Sequence, residues 1–283
     1  MRRVVIILIF VGLSTVFVFG QRREVRSVSG FSGIDATGMF NIIVSKGNAE
    51  SLTIEADDAV LQCVRSEVRN GVLHLFLDKN ANGNPCEIKI PGVHIVEKNC
   101  EIKTLLNVYI VMRNLDYVSL SGACTLTSND LFTPRRFKGE FSGASNLTAN
   151  INAEEITFGA SGATNIRITA NVAGAAYFDI SGASNFKGEL NAKDVSFNVS
   201  GVSTVNLSGA AENFATDISG MANINAQEFV VKTADINSSA IGNVNIHVTG
   251  TLIVNSTSAS TINYKGSPAK QVNISGAAKV RQM

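Results

Sequence analysis

A motif of the Ser-Gly-Ala-Ser-Asn type recurs along the C-terminal half of the chain and restricts its fold more than any other feature. Successive copies begin 18 to 21 residues apart, an interval that fits one small structural unit per copy. A single unit of this size cannot bury an apolar face, so the copies must stack on one another. About nine copies begin at Ser121, Ser142, Ser161, Ser181, Ser200, Ser219, Ser239, Thr257 and Ser275.

The residues within each copy indicate two strands joined by a turn. The second position is Gly in every copy except those with Ala240 and Ser258, and Gly adopts positive φ at little cost. Apolar and polar residues alternate on both sides of this position, as in Ile166, Ile168 and Ala170, which is the period of a strand with one buried face. The sixth position is apolar throughout: Leu126, Leu147, Ile166, Phe186, Val205, Ile224, Val244, Ile262 and Val280.

These patterns predict an all-β fold, a parallel β-helix or β-solenoid with about nine C-terminal coils. Each coil would contain a strand, a Gly-centred arc, a second strand and a looser corner such as Ala173-Gly174. A propeller blade needs about 40 residues or more, and a sandwich has no reason to repeat one turn with the same chemistry. We therefore expect residues 121–283 to form the solenoid repeats.

The fifth position of the copies predicts a ladder of side-chain hydrogen bonds. Thr replaces Asn there in several copies, and a left-handed backbone is costly for β-branched Thr. The position is therefore interpreted as a column of hydrogen-bonding side chains with a structural role. The asparagines of this predicted ladder are Asn146, Asn165, Asn185, Asn223 and Asn243.

The N-terminus is typical of a secretory signal peptide. Arg2 and Arg3 precede an apolar run over residues 4–19, and we expect cleavage near residue 20. The alternative is an uncleaved anchor, which usually needs about 20 apolar residues. The whole chain has 24 basic and 23 acidic residues, and removal of residues 1–20 leaves 22 basic and 23 acidic residues. This balance offers no basic surface for nucleic acid, and no transmembrane segment is expected in the mature chain.

Residues 24–120 are rich in strand patterns but show no clean repeat. Strands are predicted within residues 31–47, 51–55 and 71–77, and the spacing of apolar residues predicts a short helix over residues 57–68. This part is expected to continue or cap the solenoid.

The order of these segments resembles a known family, the putative auto-transporter adhesins with a head GIN domain, common among exported proteins of Bacteroidetes. The resemblance lies in residues 31–47, in Leu-Thr-Ile-Glu-Ala-Asp-Asp at residues 52–58, in residues 70–75 and in residues 115–122, which lead into the Ser-Gly copies. It implies a β-helical fold and an exported location: the periplasm, the outer surface or the medium. It implies no activity and no binding residue.

Four cysteines remain after removal of the signal peptide, and an exported chain can form disulfides. Cys86 and Cys100 bracket a short segment and are the candidate disulfide pair. Cys124 stands where other copies have a small or polar residue, so we interpret it as a small filler. The spacing contains no CxxC motif and no His cluster, so no metal site is predicted.

Two functions are compatible with these features. The first is a non-catalytic binding or adhesion module of the cell envelope that contacts a surface glycan or protein. The alternative is a carbohydrate-active β-helix enzyme, which needs carboxylates that converge on one face. Among the acids only Asp179, Asp217 and Asp235 come near a shared position before their copies, and His74, His94 and His247 are scattered. The sequence therefore favours the adhesion module, with no catalytic residue and no cofactor, and its coil ends as sites of self-association.

Overall fold

The computed structural model describes residues 21–78 and 106–283 and forms a parallel β-solenoid of about 9 turns. Residues 1–20, with the predicted signal peptide, and Cys86 and Cys100 lie outside the described residues. The described elements are β1 (Arg22–Arg26), β2 (Gly33–Gly38), β3 (Asn41–Lys46), β4 (Ser51–Ala56), α1 (Asp58–Leu61), β5 (Val64–Arg69), β6 (Val72–Leu77), β7 (Asn107–Met112), β8 (Tyr117–Gly122), β9 (Thr125–Phe132), β10 (Arg136–Phe141), β11 (Asn146–Ala153), β12 (Glu155–Ala160), β13 (Asn165–Ile180), β14 (Asn185–Val199), β15 (Val202–Ile218), β16 (Met221–Ser238), β17 (Gly242–Ser256), β18 (Thr261–Lys265), β19 (Ala269–Ile274) and β20 (Lys279–Gln282).

Each coil contributes one segment to each of two faces, which meet at the Gly-centred arc. The face before the arc is called the front face and the face after it the back face. On the front face Phe178 pairs with Phe197, and on the back face Asn165 pairs with Asn185, in parallel register. Corresponding residues of successive copies therefore lie side by side, as the repeat predicts.

The predicted corner does not interrupt the strand. Residues 165–180 form the single strand β13, and the register with β14 shifts between Val172 and Ala175. The chain changes direction at this irregularity while the ladder of backbone hydrogen bonds resumes on its far side.

Phenylalanines fill the interior behind the front face. The rings of Phe158 and Phe178 stack with centroids 5.5 Å apart, and those of Phe178 and Phe197 stack at 4.4 Å. Phe186 meets Phe178 edge-on at 4.8 Å from the opposite side of the coil. This aromatic column gives the front face a rigid, dry support, because stacked and edge-on pairs add specific geometry to simple burial.

A column of glycines forms the arc, and its conformation changes along the stack. Gly143, Gly162 and Gly182 have positive φ, and a Cβ at Gly162 would lie 2.6 Å from the carbonyl oxygen of Gly143. Gly201 is the last residue of this column with a positive φ. The arcs at Ala240 and Ser258 therefore have negative φ, which any residue adopts. This change explains why the last copies accept residues other than Gly.

The N-terminal part contains a coil that the repeat pattern of the sequence does not predict. Strands β2 and β3 lie between β6–β7 on one side and β8–β9 on the other. Thr37 pairs with Ser121, Gly38 with Gly122, and Asn41 with Thr125. Residues 37–41 are therefore a divergent copy of the motif, and the N-terminal part continues the solenoid.

Antiparallel strands cap the N-terminal end of the stack. Strand β4 pairs antiparallel with both β1 and β7, and β5 forms a hairpin with β6 through Asn70-Gly71, both at positive φ. The helix predicted over residues 57–68 is wrong beyond its first turn, because α1 ends at Leu61. The hairpin pairs Val64 and Val68 with β6, and this pairing overrides a helical spacing of apolar residues.

The C-terminal end of the described stack is open. All residues of β19 are exposed, including Val272 at 41% and Ile274 at 39%. Strands β19 and β20 pair only with the preceding coil among the described strands. The interior side of the last coil is therefore in contact with solvent.

Candidate binding groove

The predicted asparagine ladder lies on the back face, in one register column. Asn165 donates from Nδ2 to Oδ1 of Asn146 at 3.0 Å, and Asn243 donates to Asn223 at 3.2 Å. Asn185 stands between Asn165 and Thr204 in the same column. The structure thus brings all five asparagines together, with hydrogen bonds between two pairs of them.

Further amide ladders were not predicted. Asn225 donates to Asn206 at 3.0 Å and accepts from Asn245 at 3.2 Å, and Asn263 extends this second back-face column. A shorter column on the front face joins Asn237, Asn255 and Asn273 at 2.9 and 3.0 Å. The sequence indicates this second column by an Asn that recurs two positions after the predicted ladder, as in Asn223-Ile-Asn225.

The front face carries a groove along the edge that adjoins the arc. One wall of the groove is formed by residues at paired positions of successive coils whose side chains point out of the front face; they are called the outward column. The column continues from Ser119 through Glu140, Gly159, Asp179, Asn198, Asp217 and Asn237 to Asn255. The other side of the groove is the column of serines that begin the copies. One pocket of about 320 Å³ extends from Ser119 to Ser181 and another of about 380 Å³ extends from Asp179 to Thr257. Asp179 lines both pockets, so they adjoin and form one groove.

Gly159 makes a gap in the outward column. It pairs with Glu140 on one side and with Asp179 on the other. A Cβ at Gly159 would have no atom within 4 Å. The two carboxylate-bearing residues therefore face each other across two strand spacings, roughly 9–10 Å between Cα atoms, with no side chain between them. This gap is called the notch.

Glu140 is held in place at one side of the notch. Lys138 Nζ lies 2.8 Å from its Oε1, and the hydroxyl of Tyr117 donates to its Oε2 at 2.6 Å. These contacts, Lys138 first, lower the pKa of Glu140. Burial and the bond to Glu140 raise the pKa of Tyr117 to about 12. The carboxylate is therefore ionised and oriented, with lone pairs left for a ligand.

The remaining acids do not converge further. Asp179 and Asp217 share the outward column with Asn198 between them, but Asp235 stands in the neighbouring column, paired with Ala215. His74 lies 3.0 Å from Asp35 near the N-terminal cap, and His247 is on the back face, where it pairs with Lys265. His94 lies outside the described residues. Within the described ranges, no three His, Cys, Asp or Glu side chains form a group that could hold a metal ion.

The family of the chain follows from a comparison with family models. Residues 30–189 and 169–268 match the model described as "Putative auto-transporter adhesin, head GIN domain". The protein belongs to this head GIN domain family. The two matches overlap and together cover both the N-terminal cap and most of the coils, which agrees with a single continuous stack.

Solved structures share the fold of this head GIN domain. A "putative adhesin" of Parabacteroides distasonis ATCC 8503 is 15% identical with a TM-score of 0.64, and 93% of this chain and 97% of that chain are covered. A "Putative lipid binding protein" of the same strain has 16% identity, a TM-score of 0.64 and the same coverage. A "putative adhesin" of Parabacteroides merdae ATCC 43184 has 17% identity, a TM-score of 0.63 and covers 93% and 96%. No curated protein matches the chain.

Two cysteines of the head GIN domain are described. Cys63 is disulfide-bonded. Cys124 is free and buried in the arc, where its thiol lies 3.5 Å from the carbonyl oxygen of Gly38, and burial raises its pKa. Its position is that of Ser145 and Ser184 in later coils, which agrees with a small filler. The Cys86–Cys100 disulfide stays a prediction, and because the chain has four cysteines and Cys124 is free, that pairing and an intrachain disulfide of Cys63 exclude each other.

Proposed function

We propose that the protein is an exported, non-catalytic adhesion module that binds an extended surface ligand along the front-face groove. The observation that carries this proposal is the continuity of the groove through Asp179, which lines both pockets. An elongated site of repeating polar side chains suits a repetitive ligand, because each coil presents the same contacts one strand spacing further on. The N-terminal sequence supports export, and the family supports contact with a surface partner.

The environment of the carboxylates supports binding over catalysis. Glycoside hydrolysis needs one carboxyl group with a raised pKa as the proton donor and a second carboxylate opposite it. Glu140 has the opposite shift, because Lys138 and Tyr117 stabilise its ionised form. Asp179 and Asp217 are exposed to solvent, and Asn198 separates them in the column, so neither meets a second carboxylate on an adjacent strand. In the two described ranges, no α-helix has the length and apolar composition that crossing a membrane requires.

A binding assay on the mature chain, residues 21–283, tests this proposal. The protein is applied to arrays of glycans and matrix proteins and to a cell-attachment assay, beside a variant with Asn198→Arg and Asp217→Arg in the groove. We expect binding by the parent chain and its loss in the variant, because long cationic side chains fill the second pocket. Binding by neither protein, or equal binding by both, would contradict the proposal. A polysaccharide panel incubated with the parent chain should show no cleavage.

The open C-terminal end supports a second proposal, self-association of two copies through their last coils. Contact between copies is favoured by the exposed side chains of Val272 and Ile274 and by the edge of β19 that pairs with no other described strand. Lys270 and Lys279 carry like charges at the same end. Their repulsion is screened by salt, so the dimer fraction in light scattering should rise with ionic strength. Deletion of residues 267–283 should abolish it, and a monomer at every salt concentration contradicts this proposal.

A further inference from the structure

The notch differs from the rest of the groove in having an empty position within a regular column. Every neighbouring coil from Ser119 to Asn198 places a side chain there, whereas Gly159 leaves it open. The pocket around it, of about 320 Å³, is at the lower end of the range of about 300–1,000 Å³ that small ligands occupy. The notch is thus large enough for one compact unit of a longer ligand.

The polar groups around the notch suit a ligand with adjacent hydroxyl groups. Glu140 is an oriented carboxylate with unused lone pairs, and Asp179 offers a second carboxylate across the gap. Ser161 and Ser181 line the same pocket, and each donates its hydroxyl to a backbone carbonyl, at 3.5 and 3.1 Å. Their oxygens therefore face a ligand as acceptors. Such a set of acceptors binds hydroxyl groups.

An exposed tyrosine stands on the strand that borders the notch. Tyr177 is 49% exposed and precedes Asp179 by two positions on the same outward side of β13. Its strand pairs directly with that of Gly159, next to Thr157. Aromatic faces pack against apolar surfaces and leave a polar edge free, which matches the C–H face of a pyranose ring with hydroxyls at its rim.

We propose that the notch binds one hexose unit of a neutral glycan, with Glu140 and Asp179 accepting hydrogen bonds from its hydroxyls and Tyr177 packing against its ring. The remainder of the glycan continues past Asp179 into the second pocket, where Asn198 and Asn237 supply amide groups. This inference rests on the proposed function and names the class of ligand. The charge of Glu140 is balanced by Lys138, but the carboxylate of Asp179 disfavours uronates and phosphorylated sugars, because it would bring a like charge next to an anionic ligand.

Filling the notch is the direct test. Gly159→Gln places a side chain into empty space, and Thr169→Gln on the back face is the matched control. Both variants and the parent chain are applied to three sets of probes: neutral mannan, glucan and galactan oligosaccharides, uronate oligosaccharides, and extended peptides. Circular dichroism verifies that the variants are folded. We expect the parent and Thr169→Gln to bind a neutral oligosaccharide and Gly159→Gln to lose that binding.

Two conservative variants resolve the roles of the side chains. Glu140→Gln keeps the shape and removes the charge, and we expect a loss of affinity of about ten- to a hundredfold, the factor of a hydrogen bond to a charged group. Tyr177→Ala should weaken binding about tenfold or less. Neutral-glycan binding that survives Gly159→Gln overturns the inference. Binding of uronates or peptides alone also overturns it and leaves the groove as an adhesion site, whereas no binding of any probe contradicts the proposed function itself.

Discussion

Replacement of Gly162 by alanine should destabilise the solenoid far more than the same change at Gly159, three residues earlier. Gly162 has a φ of +92°, and an added Cβ would lie 2.6 Å from the carbonyl oxygen and 2.9 Å from the nitrogen of Gly143. A left-handed conformation costs an L-residue roughly 1–2 kcal/mol. Displacing the backbone of the adjacent coil adds about 1–3 kcal/mol. The free energy of unfolding should therefore fall by about 2–5 kcal/mol.

Thermal melting and guanidinium unfolding, followed by circular dichroism, measure this difference. A loss near 3 kcal/mol lowers Tm by about 6–12 °C in a chain of this size. Gly159→Ala is the control, since its Cβ meets no atom within 4 Å, and its stability should stay within about 0.5 kcal/mol of the parent. Equal melting temperatures for the two variants would refute the reasoning, because they would show that the glycine column is neither conformationally required nor closely packed.

Four further outcomes are expected. Asn225→Ala should lower the free energy of unfolding by about 1 kcal/mol in guanidinium titrations, because Asn225 both donates and accepts a hydrogen bond in its column. Asn206→Ala removes one of these bonds and should lower the free energy of unfolding by less. The reverse order would contradict the ladder. Tyr117 should ionise near pH 12 in ultraviolet titration. Because its pKa is raised on folding, its contribution to stability is complete below pH 10 and is lost as the pH rises towards 12. Ionisation near pH 10 would disprove its burial against Glu140. The Cys124 thiol, buried and with a raised pKa, should react with a thiol reagent only after unfolding, whereas rapid labelling of the native protein would place it at the surface. Peptide mapping under non-reducing conditions should recover Cys63 in a disulfide-linked peptide. Recovery of a Cys86–Cys100 peptide together with Cys63 as a free thiol would contradict the structure.

The solenoid could be predicted from the sequence because its copies from Ser121 onwards share Gly, Asn and an apolar sixth residue at nearly constant spacing. The coil of β2 and β3 was missed because residues 37–41, Thr-Gly-Met-Phe-Asn, keep only Gly and Asn. The capping segments β4 to β6 also separate this coil from its neighbour β8–β9. A single copy at a distance from the others has no period by which to be recognised.

The groove could be predicted only in part, because it depends on which residues share a column across coils of unequal length. Asp235, Asp179 and Asp217 each precede the start of a copy by a similar number of residues, which predicts that they share a column. In the structure Asp235 pairs with Ala215 and stands outside the column of the other two. The importance of Gly159 was also hidden, since a glycine has no side chain to attract notice. Its role appears only when Glu140 and Asp179 are seen on the strands at either side.

The coil formed by β2 and β3 has a consequence for the order of folding. Both of its neighbours, β6–β7 and β8–β9, are made of residues that follow it in the chain. This first coil therefore cannot complete its contacts until the later strands β6 to β9 have been synthesised. Such non-local pairings form slowly. Every coil after β9 needs only the coil before it, so once the N-terminal nucleus exists, the remaining coils can add in sequence at a growing end.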